Sequence, residues 1–148
     1  MKRSIYFVTN GLSGGGAERV MSLIANDLDD KGYTVSFIML KKYPEAYRLN
    51  SGIKKYYKES KKVKDVLGDI AFIRSFAKNE KNAIFVSFFT RQSLWTIIAA
   101  FGTHNSVVVS ERNDPQITVS GKVENYIRSF LYGSRKCKCI VFQTNGAK

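Results

Sequence analysis

The chain has 148 residues, about one domain, and its 44% hydrophobic content with only two prolines argues against low-complexity disorder and allows a buried core. Against 24 lysines and arginines stand 12 aspartates and glutamates, a net charge of +12. Such a surface seeks phosphates, whether of nucleic acid, membrane lipid or a phosphorylated substrate.

Ser4 to Thr9 is rich in β-formers and predicts a first strand. Its apolar run follows Met-Lys-Arg like a short secretory signal, but it stops at Thr9-Asn10 and no small-residue cleavage site follows. Gly11, Gly14, Gly15 and Gly16 then make a glycine turn. Beyond it, Val20, Met21, Ile24, Ala25 and Leu28 repeat as one buried stripe of a helix. Glu18 falls in the first turn of that helix, where the dipole favours a carboxylate. Gly32 closes it as a C-cap. Thr34 to Leu40 is almost wholly apolar and predicts a strand buried on both faces.

The stretch "KKYPEAYRLNSGIKKYYKESKKVK", Lys41 to Lys64, concentrates the basic charge. It reads either as a docking surface for anions or as a solvated charged loop with no partner. Within it only a short loop or single helical turn fits before Ile53 to Tyr57, an edge or irregular strand. Val63, Val66, Leu67, Ile70, Ile73 and Ala77 predict a second amphipathic helix. Ala83 to Phe89 follows as a buried strand and Leu94 to Phe101 as a short helix apolar nearly all round. That run is far below the roughly 20 residues that span a bilayer, so the expectation is a soluble, cytoplasmic protein. Ser106 to Ser110 is the next strand, with "ERNDP" leaving its end. Val123, Tyr126, Ile127, Phe130 and Leu131 mark a helix that Gly133 ends.

Cys139 to Gln143 reads as the last strand. Cys137 and Cys139 sit one residue apart there, and alternation points both to the same face. A disulfide between them is geometrically awkward, and a zinc site needs more ligands than these and the lone His104. Ordinary reduced cysteines suit a cytosolic protein.

Strands alternating with helices, and reading as continuous apolar runs, predict an α/β fold: a Rossmann-like, doubly wound, mainly parallel sheet with helices on both faces. Ligands of such sheets bind beyond the carboxyl ends of the strands. The glycine turn, "FTRQ" with Arg91 after the fourth strand, and "ERNDP" after the fifth are therefore expected on one rim.

The glycine turn fails two familiar motifs. A Walker A loop starting at Gly11 would need lysine and a hydroxyl where Ala17 and Glu18 stand, which argues against an NTPase. A dinucleotide fingerprint starting at Gly14 meets Arg19 in place of its third glycine, and the second strand ends in Lys41-Lys42 with no acid for a ribose hydroxyl. NAD is thereby disfavoured, while an NADP pocket using these lysines stays open as an alternative. What remains is a turn whose exposed N–H groups suit an anion and whose missing side chains let a bulky polar ligand touch the backbone. The competing reading is a tight strand-to-helix turn that binds nothing.

"FVTNGLSGGGAERVMSLIANDLDDKGYTVSFIML", "VVVSERNDP" and "IVFQTNGAK", in this order over essentially the whole chain, resemble the amino-terminal half of a family 4 glycosyltransferase of the GT-B fold. The likeness is greatest to bacterial members that build surface polysaccharides such as capsule. It implies a two-domain retaining enzyme that needs no metal or cofactor. Residues 1–148 would form the acceptor-side domain, with the domain that binds the sugar-nucleotide donor absent from this chain. The implied acceptor is a saccharide or lipid-linked sugar, and the implied place is the cytoplasm or the inner face of the plasma membrane, with peripheral contact to anionic lipid.

The resemblance also implies site residues. Gly14, Gly15 and Gly16 match the loop facing the donor diphosphate and the acceptor, and Glu111, Arg112 and Asn113 match the loop after the fifth strand. Many relatives place a histidine in that second loop, and this sequence has none there. Glu111 and Arg112 are thus expected at the reaction centre, with Asn113 and Arg91 binding substrate. Glu111 capping a neighbouring backbone and Asp114-Pro115 forming a plain turn are the alternatives. A nucleic-acid module or a non-catalytic membrane-docking domain would also fit the charge. Against nucleic acid, the aromatics fall at core spacings and no basic-aromatic motif occurs.

Overall fold

The computed structural model describes residues 3–59, 65–111 and 122–142. In chain order these form β1 (Ser4–Thr9), α1 (Gly16–Asp30), β2 (Thr34–Met39), β3 (Lys54–Tyr57), α2 (Val66–Asn79), β4 (Ile84–Ser87), α3 (Thr90–Ala100), β5 (Ser106–Glu111), α4 (Lys122–Tyr132) and β6 (Cys137–Phe142). One sheet holds all six strands in the order β3-β2-β1-β4-β5-β6, and every neighbouring pair is parallel. This is the Rossmann-like α/β architecture expected from the sequence.

Alternation along the strands feeds two cores. Tyr6 and Val8 of β1 join Ile73 and Ala77 of α2, Leu94 and Ile97 of α3, and Leu131 of α4 on one face. Ile5 and Phe7 join Met21 and Ala25 of α1 on the other, together with Val35 and Phe37 of β2. Right-handed crossovers account for the split. The chain steps one way from β1 to β3 and the opposite way from β4 to β6, so α1 lies on one face and α3 and α4 on the other. The order reverses between β1 and β4, the switch point beyond whose carboxyl ends ligands of such sheets bind.

Gly32 ends α1 as expected. Its φ is +76°, its N–H donates to the Asp29 carbonyl, and the Tyr33 N–H reaches back to Leu28. That is a Schellman motif, and the left-handed backbone favours glycine there.

Several expected details change. Ile24 is not in the buried stripe: it is 40% exposed and, with Leu28, forms one wall of an open apolar groove of about 280 Å³ over Val86, Val108 and Val141. In α2 the first-turn residues Val66 and Leu67 are exposed, and Asp69 is buried in their stead because Lys58 pairs with it; Val63 lies outside the described residues. β4 ends at Ser87, and α3 begins at Thr90 instead of Leu94. The polar start of α3 hid this helix turn from a hydrophobicity pattern, yet Thr90, Gln92 and Ser93 are all buried.

β6 begins at Cys137, not Cys139. A bulge against β5 sets Cys137 opposite Val107 and Cys139 opposite Val108. Consecutive β5 residues point to opposite faces, so the two cysteines do as well, contrary to simple alternation. Cys137 packs against the core shared by α2, α3 and α4, Cys139 is exposed, and both are free thiols.

Candidate functional site

The glycine turn is built around an anion that the chain itself supplies. One carboxylate oxygen of Glu18, Oε2, accepts hydrogen bonds from the Gly14 N–H at 2.9 Å and the Gly15 N–H at 3.2 Å, with the Ser13 hydroxyl at 3.5 Å. Gly15 is the N-cap of α1 and Glu18 its third residue, the positions of a capping box. Glu18 is only 8% exposed, so this is a set part of the turn. The N–H groups that sequence pattern offered to an external anion are, at Gly14 and Gly15, already occupied.

The glycines divide by what requires them. Gly14 has φ +131°, a backbone that side chains rarely adopt. At Gly11 a Cβ would come 3.0 Å from the Tyr43 ring, so the protein itself fills that space. Gly15 has φ −74° and ψ 152°, open to any residue, and a Cβ there would meet only the Glu18 side chain, no closer than 3.7 Å. At Gly16 a Cβ would meet nothing within 4 Å. Neither the backbone nor the packing demands glycine at 15 or 16, and both positions face solvent.

The loop between β2 and β3 buttresses this turn. Ala46 donates its N–H to the Leu12 carbonyl at 2.7 Å, and the Tyr47 hydroxyl donates to the Gly14 carbonyl at 2.8 Å. Leu12 is fully buried and anchors the turn into the α1-side core. Glu45 in turn accepts from Lys55 at 2.8 Å and from the Tyr57 hydroxyl, which fastens the loop to β3.

Across the rim, Glu111 ends β5 and is 4% exposed. Thr90 Oγ1 donates to its Oε1 and Tyr132 Oη donates to its Oε2, each at 2.8 Å. One carboxylate thus ties the end of β5 to the start of α3 and the end of α4. Burial first, and the neighbouring Glu111 second, hold the Tyr132 phenol well above its ordinary range. The expectation that Glu111 offers a carboxylate to substrate meets this arrangement: both oxygens already accept a hydrogen bond within the protein. Arg91 is exposed on the first turn of α3, beyond the carboxyl end of β4. Arg112 and Asn113 lie outside the described residues.

Parallel pairing of β1, β4 and β5 therefore brings the glycine turn, the Arg91 turn and Glu111 to one rim, as their order in the chain implied. The Glu18 anchor was the functional feature missed by sequence reasoning. Its signal was present in the spacing of the N-cap glycine and a glutamate three residues later. Among the described residues no cluster of three or more His, Cys, Asp or Glu could hold a metal ion. No helix among them is long and apolar enough to cross a membrane. Comparison with models of known protein families finds no match, and comparison with curated proteins finds none.

Proposed function

We propose that this chain is the acceptor-binding, amino-terminal domain of a retaining glycosyltransferase. In this reading a second domain holds a sugar nucleotide, and the sugar passes to a saccharide or lipid-linked acceptor of surface-polysaccharide synthesis. The observation that carries the proposal is the pair Gly15 and Gly16. They stand at the switch point of a doubly wound sheet, where the fold has no need of glycine and where a missing side chain leaves room for a ligand. The motif resemblance of "GGGAERV", "SERNDP" and "VFQT" supplies the chemistry.

With Gly14 and Gly15 satisfied by Glu18, the turn offers the acceptor a smooth backbone surface, and the donor's diphosphate falls to the second domain. Arg91, exposed on the first turn of α3, offers a cation to the acceptor or its phosphate, and the motif resemblance alone assigns Arg112 and Asn113 to substrate. Glu111 is a positioning residue that ties the end of β5 to Thr90 and Tyr132.

Two readouts on residues 1–148 test this. With a panel of sugar nucleotides the chain transfers no sugar beyond background. In an amide-resonance titration, saccharide or lipid-linked acceptors shift Gly15 and Gly16, while sugar nucleotides do so weakly or not at all. Robust transfer by these residues alone contradicts the division between domains. Acceptors that leave the turn unshifted contradict the acceptor role.

A further inference from the structure

We propose that Glu18 selects the ligand of the glycine turn: one carboxylate oxygen keeps phosphate out, and the other accepts a hydrogen bond from a hydroxyl of an uncharged sugar ring. The proposal rests on the acceptor reading of the turn and deepens it, by naming the part of the acceptor that lies over Gly15 and Gly16. Glu18 is 8% exposed, yet only one of its oxygens is used within the protein. Oε2 takes the Gly14 and Gly15 N–H groups and the Ser13 hydroxyl. Among the described residues no donor reaches Oε1, and that oxygen is not sealed from solvent. A helix cap is complete with Oε2 alone, so Oε1 is surplus to the fold. A deeply set carboxylate with one oxygen unused has acceptor capacity that a ligand donor completes.

Gly15 keeps that carboxylate uncovered. A Cβ at Gly15 would stand 3.7 Å from the Glu18 carboxyl carbon and 3.9 Å from Oε2, so a longer side chain there grows across the group. Gly16, next along the chain, adds open space beside it. Two glycines that neither backbone nor packing requires thus border a carboxylate that the protein uses on one side only.

Charge decides between a hydroxyl and a phosphate. Backbone N–H groups at the start of a helix are a ready seat for phosphate, and a chain of net charge +12 would draw one there. With Glu18 in that seat, a phosphate meets a negative group and finds the Gly14 and Gly15 N–H groups taken. A carboxylate oxygen attracts O–H donors instead, and hydrogen bonds to an ionised acceptor are the stronger kind. An uncharged, hydroxyl-rich ring supplies such donors, whereas an ionised diphosphate supplies none. Arg91 remains the exposed cation after β4 for any phosphate that the acceptor carries.

Amide-resonance titrations of residues 1–148 with sodium phosphate, and with the neutral disaccharides lactose, maltose and chitobiose, test the proposal. Phosphate leaves Gly14 and Gly15 of the wild type unshifted, whereas at least one disaccharide shifts Gly15 and Gly16. Glu18→Gln keeps an oxygen for the two N–H groups and turns the other oxygen into a donor, so its melting temperature stays near the wild-type value. Its affinity for that disaccharide falls about tenfold or more. Glu18→Ala empties the seat, and phosphate then shifts Gly14 and Gly15. If Glu18 is a helix cap and nothing else, Glu18→Gln binds the disaccharide with wild-type affinity. That result overturns the proposal and leaves the acceptor reading intact. Phosphate that treats the wild type and folded Glu18→Ala alike overturns it too, as does a wild-type turn that none of the disaccharides shifts.

Discussion

The Tyr132 phenol donates to a buried carboxylate, and that bond has a pH signature. Its pKa is raised above the ordinary 10.0 by burial and by Glu111. A raised folded-state value means that the folded protein holds the proton more tightly than the unfolded chain. The contribution is fully present below about pH 10 and is lost as pH climbs from there through the folded value. Tyr132→Phe leaves Glu111 Oε2 without its donor and costs about 1–3 kcal/mol near neutrality. In melts recorded across the alkaline range, the wild type loses stability more steeply above pH 10 than the variant. Parallel curves contradict the assignment. Glu18 illustrates the same scale differently. Its role at the helix start was legible from its position, but its hold on Gly14 and Gly15 depends on the side chain curling back, which only the folded turn shows.

At the level of elements, the alternation of strands and helices was legible because both signals are strong in this chain. β1 and β2 are unbroken apolar runs, and α1 has its glycine turn before it and Gly32 behind. Where polar residues are buried with partners, the pattern misled. Thr90 is buried beneath Glu111, which hid the start of α3, and Asp69 is buried beside Lys58, which shifted the inner face of α2. The Cys137 bulge follows from a register between two strands that no single-strand pattern encodes. Lys58, just past β3, is the tie between that edge strand and α2, with 8% of its side chain exposed and Asp65 and Asp69 both bound. Lys58→Met leaves two carboxylates facing each other without a cation, a loss of about 2–4 kcal/mol. Denaturant unfolding reads it as a lower midpoint, and an unchanged midpoint shows that α2 does not depend on this tie.

For the whole molecule, the order of elements placed the glycine turn, Arg91 and Glu111 on one rim without any knowledge of side chains. Their division of labour was not legible. Glycine at 14 is required by backbone conformation and at 11 a Cβ would crowd the Tyr43 ring, whereas 15 and 16 are free of both demands. The central claim is that those two are glycine for the sake of a ligand. Gly15→Val tests it most directly, with affinity for a saccharide or lipid-linked acceptor and melting temperature measured on the same preparation. The backbone at Gly15 is open to any residue and a Cβ there meets only the Glu18 side chain at 3.7 Å, so the poorer N-cap costs about 1 kcal/mol and the protein stays folded. The account predicts that acceptor binding collapses in a protein that is still folded. Wild-type affinity in folded Gly15→Val would contradict it.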